Sequence, residues 1–284
     1  MLTKPSIVLL VAISGLATMA AEGSLFHEPV RMLLVLIGIV FSAGAANALN
    51  QFIDRDIDSV MERTKKKRPL PLEQVSAPQA LAFGFITGVG SVLFLYWIAN
   101  LTTALLALGT ILFYTVVYTL WLKRRHHYNI VIGGAAGAAA PIIASAAAFG
   151  QPSLFSWFFF WVIFFWTPPH FWALALAVKE EYAKVKVPML PNVCGDKRTR
   201  TEIIIYTISL LPLTILPFYL KMHGVILLVA AIALWIWYFW HTILRLREET
   251  IKSYRKLFFI SIVYLFFYFI AATLDGAVQY FYGV

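Results

Sequence analysis

Four side chains able to bind a hard cation recur at spacings of three and four within residues 47–58: Asn47, Asn50, Asp54 and Asp58. On a helix, residues three and four apart share a face. These four therefore form one stripe about three turns long. Asp56 points elsewhere. Carboxylates one turn apart repel each other unless a cation lies between them. Oxygen-only ligands suit Mg²⁺, which prefers carboxylates, retained waters and substrate phosphates. The expected chemistry is the binding of a Mg²⁺–diphosphate complex, with Asn50, Asp54 and Asp58 as metal ligands. A solvated helix end would explain Asp56 and Asp58. It explains Asn47 and Asn50 poorly, because they sit in an apolar helix where polar groups are costly and mark cavities or bundle interiors.

A basic run follows: Arg63-Thr64-Lys65-Lys66-Lys67-Arg68-Pro69. Arg and Lys just past the acids suit the outer oxygens of a diphosphate. They suit anionic lipid headgroups equally, and the two roles are compatible. Arg68, beside Pro69, is the strongest single candidate for a ligand contact, with Arg63 and Lys67 near it.

The elements that position these residues are membrane helices. Of 284 residues 61% are hydrophobic and only 13% charged, with a mean hydropathy of +0.78. A soluble domain carries roughly a quarter charged residues. Continuous apolar stretches of membrane-spanning length recur, and in lipid only helices or closed barrels satisfy the backbone. The stretches do not alternate, which excludes a barrel. The reading is an all-α polytopic membrane protein, one domain over residues 1–284. Nine spans are expected, at 5–22, 30–53, 78–98, 101–120, 129–149, 153–177, 202–220, 223–243 and 257–281. Linkers after spans two, four, six and eight are basic, and the others carry at most one cation. Positive loops stay inside, so the N-terminus and the acidic stripe face the cytoplasm and the C-terminus lies outside. The net charge of +9 has this topological origin and does not indicate nucleic acid. The first span also has the look of a signal peptide, from Lys4 through Thr18-Met19-Ala20-Ala21. No presequence rich in Arg and Ser is present, so a bacterial or archaeal plasma membrane is expected rather than mitochondria. Cys194 is the sole cysteine, which leaves no internal disulfide.

Asn50-x-x-x-Asp54-x-x-x-Asp58, then Met61-x-Arg63-Thr64 and Arg68-Pro69, resembles the first signature of the UbiA-type intramembrane prenyltransferases. Three further stretches resemble the haem-farnesylating branch of that family. They are Leu122-Lys123-Arg124-Arg125 with Asn129-Ile130-Val131-Ile132-Gly133-Gly134, then Trp166-Thr167-Pro168-Pro169-His170-Phe171-Trp172, then Tyr182 with Pro188-Met189-Leu190-Pro191. The resemblance implies nine helices around a central cavity open to the membrane. It also implies Mg²⁺-dependent transfer of farnesyl from farnesyl diphosphate to a vinyl group of haem b, with water addition. Haem A synthase or terminal oxidase assembly factors become candidate partners on the resemblance alone.

Quinone-type members have a second acidic motif around a tyrosine. Here Tyr182 lies between Lys179 and Lys186 instead. The lysines then bind diphosphate oxygens as point charges, or meet haem propionates, or belong to an ordinary basic loop. Tyr182 is the candidate for stabilising an allylic cation by its ring face, and Lys186 joins the catalytic set. His170 is either an axial ligand of haem iron or a structural hydrogen-bonding group. Arg124 and Arg125 are propionate candidates. Asn129 is a candidate near haem or a helix-positioning residue. Gly133, Gly134 and Gly137 are read as close helix packing. Two rival functions remain: the same chemistry on an aromatic acid or quinone precursor, and a transporter. Against the transporter, the ionisable residues gather at one face rather than at mid-membrane.

Overall fold

The computed structural model describes residues 2–283. Among the described residues nine long helices dominate: α1 Pro5–Ala21, α2 Pro29–Ile53, α3 Ala77–Ile98, α4 Leu101–Leu122, α5 Asn129–Phe149, α6 Leu154–Ala177, α7 Leu190–Tyr219, α8 Val225–Glu248 and α9 Ile251–Tyr282. Among the described residues, eight are long and apolar enough to cross a membrane, and α1 is a shorter apolar helix of 17 residues. The protein is a multi-pass membrane protein of the expected all-α class.

The helices form a ring. Each packs on the next, and α9 returns to α1 and closes it, while α6 reaches across to α9 and α1 to α5. Short connections keep sequence neighbours adjacent in space. Burial follows position in the ring: α5 and α6 are mostly buried, whereas α3 and α8 leave most of their surface outward. Outward residues include Phe85, Ile86, Leu93 and Trp97 on α3 and Val229, Ile236 and Trp240 on α8. Apolar side chains facing outward are what lipid requires of a span.

Helix ends depart from the hydropathy-based spans where charge begins. α7 starts at Leu190 rather than near 202, and breaks at Gly195, whose φ of 80° no other residue type adopts as readily. α8 runs on to Glu248 and α9 begins at Ile251. Their polar ends stay helical because intrahelical hydrogen bonds do not need a lipid surround. α6 runs unbroken through Pro168-Pro169.

Small residues set the closest approaches. A Cβ on Gly133 would lie 2.2 Å from the Tyr118 ring, and one on Gly134 3.1 Å from Thr167 Cβ, as expected of tight packing; Gly137 has nothing within 4 Å and is not a packing residue. A Cβ on Gly276 would lie 2.5 Å from Ala21 Cα, so α9 closes on α1 backbone to backbone. Gly276→Ala is therefore expected to destabilise the protein by about 3 kcal/mol, because no flexible side chain can give way. Thermal unfolding followed by tryptophan fluorescence checks this; an unchanged midpoint would mean that the ring closure is loose.

Candidate active site

The acidic stripe is built where α2 ends. Asn50 lies in the last turn of α2, Asp54 at the junction, and Asp58 on the short helix Arg55–Val60. The helix assignment breaks at Asp54, but the register holds: Asp54 N donates to Asn50 O and Asp58 N to Asp54 O, both at 2.9 Å. The three side chains accordingly stay on one face. All three are buried, Asp54 completely. Asp56 is exposed and bound by the Arg124 guanidinium at 2.7 and 2.8 Å. That hydrogen bond holds the Asp56 carboxyl below the usual carboxylate range.

Buried carboxylates need partners, and the fold supplies cations from separate elements. Lys123, just past α4, pairs with Asp54. Arg68 pairs with Asp58; burial nevertheless pushes the Asp58 carboxyl up, against the pull of Arg68. Lys4 Nζ donates to Asn50 Oδ1 at 2.6 Å. Burial, then the neighbouring Arg68 and Lys123, push the Lys4 ammonium well below its ordinary pKa. Asn50 Nδ2 donates to Asp54 Oδ2 at 2.9 Å and to Thr119 Oγ1 at 3.1 Å. Thr64 Oγ1 donates to Asp58 O at 3.0 Å and ties the basic run to the stripe.

Thr119 and Lys123 reach the acids through a wide turn. Residues 113–122 form a π-helix, with Lys123 N donating to Tyr118 O at 2.8 Å and Thr119 Oγ1 to Tyr114 O at 2.7 Å. Such turns are rare and recur at functional sites. The missing Cβ of Gly133 leaves the space for the Tyr118 ring.

The second stretch meets the first at the same end. Glu181 Oε2 accepts from Arg63 N at 3.0 Å, which docks the short helix Lys179–Lys184 beside residues 61–68. Tyr182 is buried there. Arg63 is half-buried, with a buried Nε that has no hydrogen-bond partner. Lys179 is held by Asp196 at 2.8 Å. Lys67 and Lys186 are exposed, Lys186 with a left-handed φ of 54°. Arg125 is exposed. Asn129 is buried; its Nδ2 donates to His126 O at 2.7 Å and Pro188 O at 3.3 Å, so it fastens two linkers together. His170 is set deeper, seven residues before the end of α6, about 10 Å along the axis. Its Nδ1 is 2.7 Å from Ser261 Oγ, and its ring is stacked between Trp166 and Phe258 at 4.3 and 4.2 Å.

The arrangement fits a hard divalent cation. Asp54 Oδ1 is buried and has no hydrogen-bond partner. With Asn50 Oδ1 and the Asp58 carboxylate it gives an all-oxygen donor set. Among the described residues no three His, Cys, Asp or Glu side chains cluster into a complete cage. A cation here would take its other ligands from water and from a phosphate, as Mg²⁺ does.

Lys4, Lys123 and Thr119 are the members of this cluster that the spacing of the acids did not reveal. Only Lys123 lay in a quoted stretch, Leu122-Lys123-Arg124-Arg125, as part of a longer motif.

Residues 8–270 match the UbiA prenyltransferase family. The chain is 45% identical over 276 residues, covering 97% of it and 90% of the relative, to a protein named protoheme IX farnesyltransferase from Gloeobacter violaceus. It is 44% identical over 279 residues to a protein of the same name from Symbiobacterium thermophilum, covering 96% of this chain and 92% of that one. Its fold matches a solved digeranylgeranylglyceryl phosphate synthase, with a TM-score of 0.77 at 18% identity and 96% of each chain covered. It also matches a UbiA homolog from Archaeoglobus fulgidus bound to GPP and Mg²⁺, with a TM-score of 0.67 at 17% identity, over 95% of this chain and 98% of that one. This chain belongs to the UbiA prenyltransferase family.

Proposed function

We propose that this prenyltransferase moves a farnesyl group from farnesyl diphosphate to a vinyl group of haem b, with addition of water, to give haem O. The observation that carries it is the buried Asn50-Asp54-Asp58 stripe, in a chain similar over nearly its full length to proteins named protoheme IX farnesyltransferase. Mg²⁺ dependence is supported by the donor set and by the like-folded homolog bound to GPP and Mg²⁺. The acidic end faces the cytoplasm, because the basic linkers gather there, in a bacterial or archaeal plasma membrane.

Each residue then has a task. Asn50, Asp54 and Asp58 hold the cation. Bound Mg²⁺ supplies Lewis-acid stabilisation of the leaving diphosphate. Arg68 and Lys123 stand beside the stripe, where fixed positive charge favours the same departure. Arg63, Lys67, Lys179 and Lys186 form the rim that meets outer phosphate oxygens. The C1–O bond breaks with its electron pair going to the diphosphate. The Tyr182 ring face steadies the allylic cation. A vinyl carbon of the porphyrin then bonds to C1, and water adds at the neighbouring carbon with loss of a proton. An open apolar groove of about 230 Å³ on the outer surface between α4, α5 and α6, lined by Leu105, Phe113, Ala139 and Phe160 among others, suits an isoprenoid tail.

His170 is the proposed axial ligand. Its rings above and below and the Ser261 bond fix the imidazole plane and tautomer, as groups around a metal-bound histidine do. With Nδ1 held by Ser261, Nε2 is the nitrogen that would meet iron. Arg124 and Arg125 are the propionate partners; Arg124 must first release Asp56. Asn129 holds the linkers that carry them.

The direct test incubates the purified protein with haem b, farnesyl diphosphate and Mg²⁺, followed by mass spectrometry. Hydroxyethylfarnesyl haem is expected. Product formed only on an aromatic acid or quinone head group would overturn the haem reading. His170→Ala is expected to shift the Soret band of bound haem and weaken its binding by about tenfold. An unchanged spectrum and affinity would remove the ligand assignment.

A further inference from the structure

Lys4 is held in a way that packing does not require. Its φ of 53° and ψ of 72° are left-handed, and it precedes Pro5, which disfavours helical conformations in the residue before it. Strain of this kind persists where surrounding structure enforces it. Here the enforcement is visible: Gln51 Nε2 donates to Leu2 O at 2.7 Å, and the Thr3 methyl packs on the bare face of Gly44, where a Cβ would lie only 3.2 Å away. Residues 2–4 are thereby folded against α2, and the Lys4 side chain runs inward to Asn50 Oδ1.

The charges around it do not balance. Counted as ionised, Lys4, Lys123 and Arg68 give three positive charges against the two of Asp54 and Asp58. With all five groups ionised, the cluster would enclose one surplus positive charge, which is unfavourable unless an anion joins it. A fully ionised allylic diphosphate carrying one Mg²⁺ has a net charge of minus one. The cluster and that complex are complementary.

We propose that Lys4 is a further diphosphate-binding residue, whose ammonium leaves Asn50 Oδ1 for a non-bridging diphosphate oxygen and so frees the carboxamide oxygen for the metal. The proposal rests on the Mg²⁺–diphosphate reading of the stripe. In the unloaded protein Lys4 guards one ligand position of the metal; in the loaded protein it takes one of the cationic places around the leaving group. A Lys side chain suits the exchange, being a compact charge on a flexible stem.

The two roles have opposite signs, which makes them separable from a structural one. Calorimetric titration of the intact protein with farnesyl thiodiphosphate in Mg²⁺ is expected to show Lys4→Met weaker than wild type by about ten- to a hundredfold, the worth of one charge-assisted hydrogen bond. Titration with Mn²⁺ alone, read by its electron paramagnetic resonance signal, is expected to show the same variant binding more tightly than wild type. Lys4→Arg should keep most of the diphosphate affinity. If Lys4→Met fails to fold, Lys4→Gln, which keeps a donor for Asn50 without the charge, carries the test. Unchanged thiodiphosphate affinity overturns the proposal. So does parallel weakening of Mn²⁺ and thiodiphosphate binding, which marks a structural role. Absence of Mg²⁺-dependent thiodiphosphate binding in the wild-type protein overturns the stripe reading itself, and this proposal with it.

Discussion

Asp54→Asn is expected to lower farnesyl transfer by about three orders of magnitude, while the protein still inserts and purifies as a single species. Asp54 is fully buried, accepts from Asn50 Nδ2, pairs with Lys123, and keeps Oδ1 without a hydrogen-bond partner. In the proposed site that oxygen binds the cation. Loss of one preorganised electrostatic contact to developing charge costs about 10²- to 10³-fold, and here the metal goes with it. Asparagine keeps the shape and can still meet Lys123 through its carbonyl. The measurement is initial rate against Mg²⁺ concentration, with size-exclusion profile and thermal midpoint as the control for folding. Near-normal turnover in Asp54→Asn would sink the metal assignment.

Lys123→Met is expected to have the second largest effect, about a hundredfold loss of turnover. The ammonium pairs with Asp54, one of the proposed metal ligands, at the end of the π-helix. Its removal also leaves the buried Asp54 carboxylate without its ion-pair partner, which is strongly destabilising, on the order of 3–5 kcal/mol. The double variant Asp54→Asn/Lys123→Met separates the two effects. Its thermal midpoint should recover above that of Lys123→Met, because neither member of the pair is then left charged and alone. Its turnover should fall no further than that of Asp54→Asn, since residues acting as a unit are not additive. Additive losses in turnover would show that Lys123 works elsewhere.

The protein's class was legible in its residues. Apolar runs of spanning length and charge confined to linkers admit one solution, a helical bundle in lipid, because the backbone has no other way to satisfy itself there. The stripe was legible too. Helical periodicity alone puts Asn50, Asp54 and Asp58 on one face and sends Asp56 outward, and both are as observed. Local spacing suffices because a helix relates residues four apart whatever surrounds it.

Helix ends were less legible. Hydropathy stops where charge begins, whereas the polar first turns of α7 and α9 remain helical. The assignment of Arg124 shows a different limit. The chain offered it as a propionate candidate, and in the structure its partner is Asp56, a residue 68 positions away. Nothing local in the chain could announce that pairing.

What the tertiary structure alone decided is who neutralises the acids. Lys4 is 46 residues from Asn50 and Lys123 is 69 from Asp54. Their meeting depends on ring closure, on a π-helix whose Tyr118 ring packs on the bare face of Gly133, and on residues 2–4 folding back along α2. Spacing along one helix fixes which carboxylates face inward. Only the packing of several helices fixes which distant cations face them, here Lys4 and Lys123.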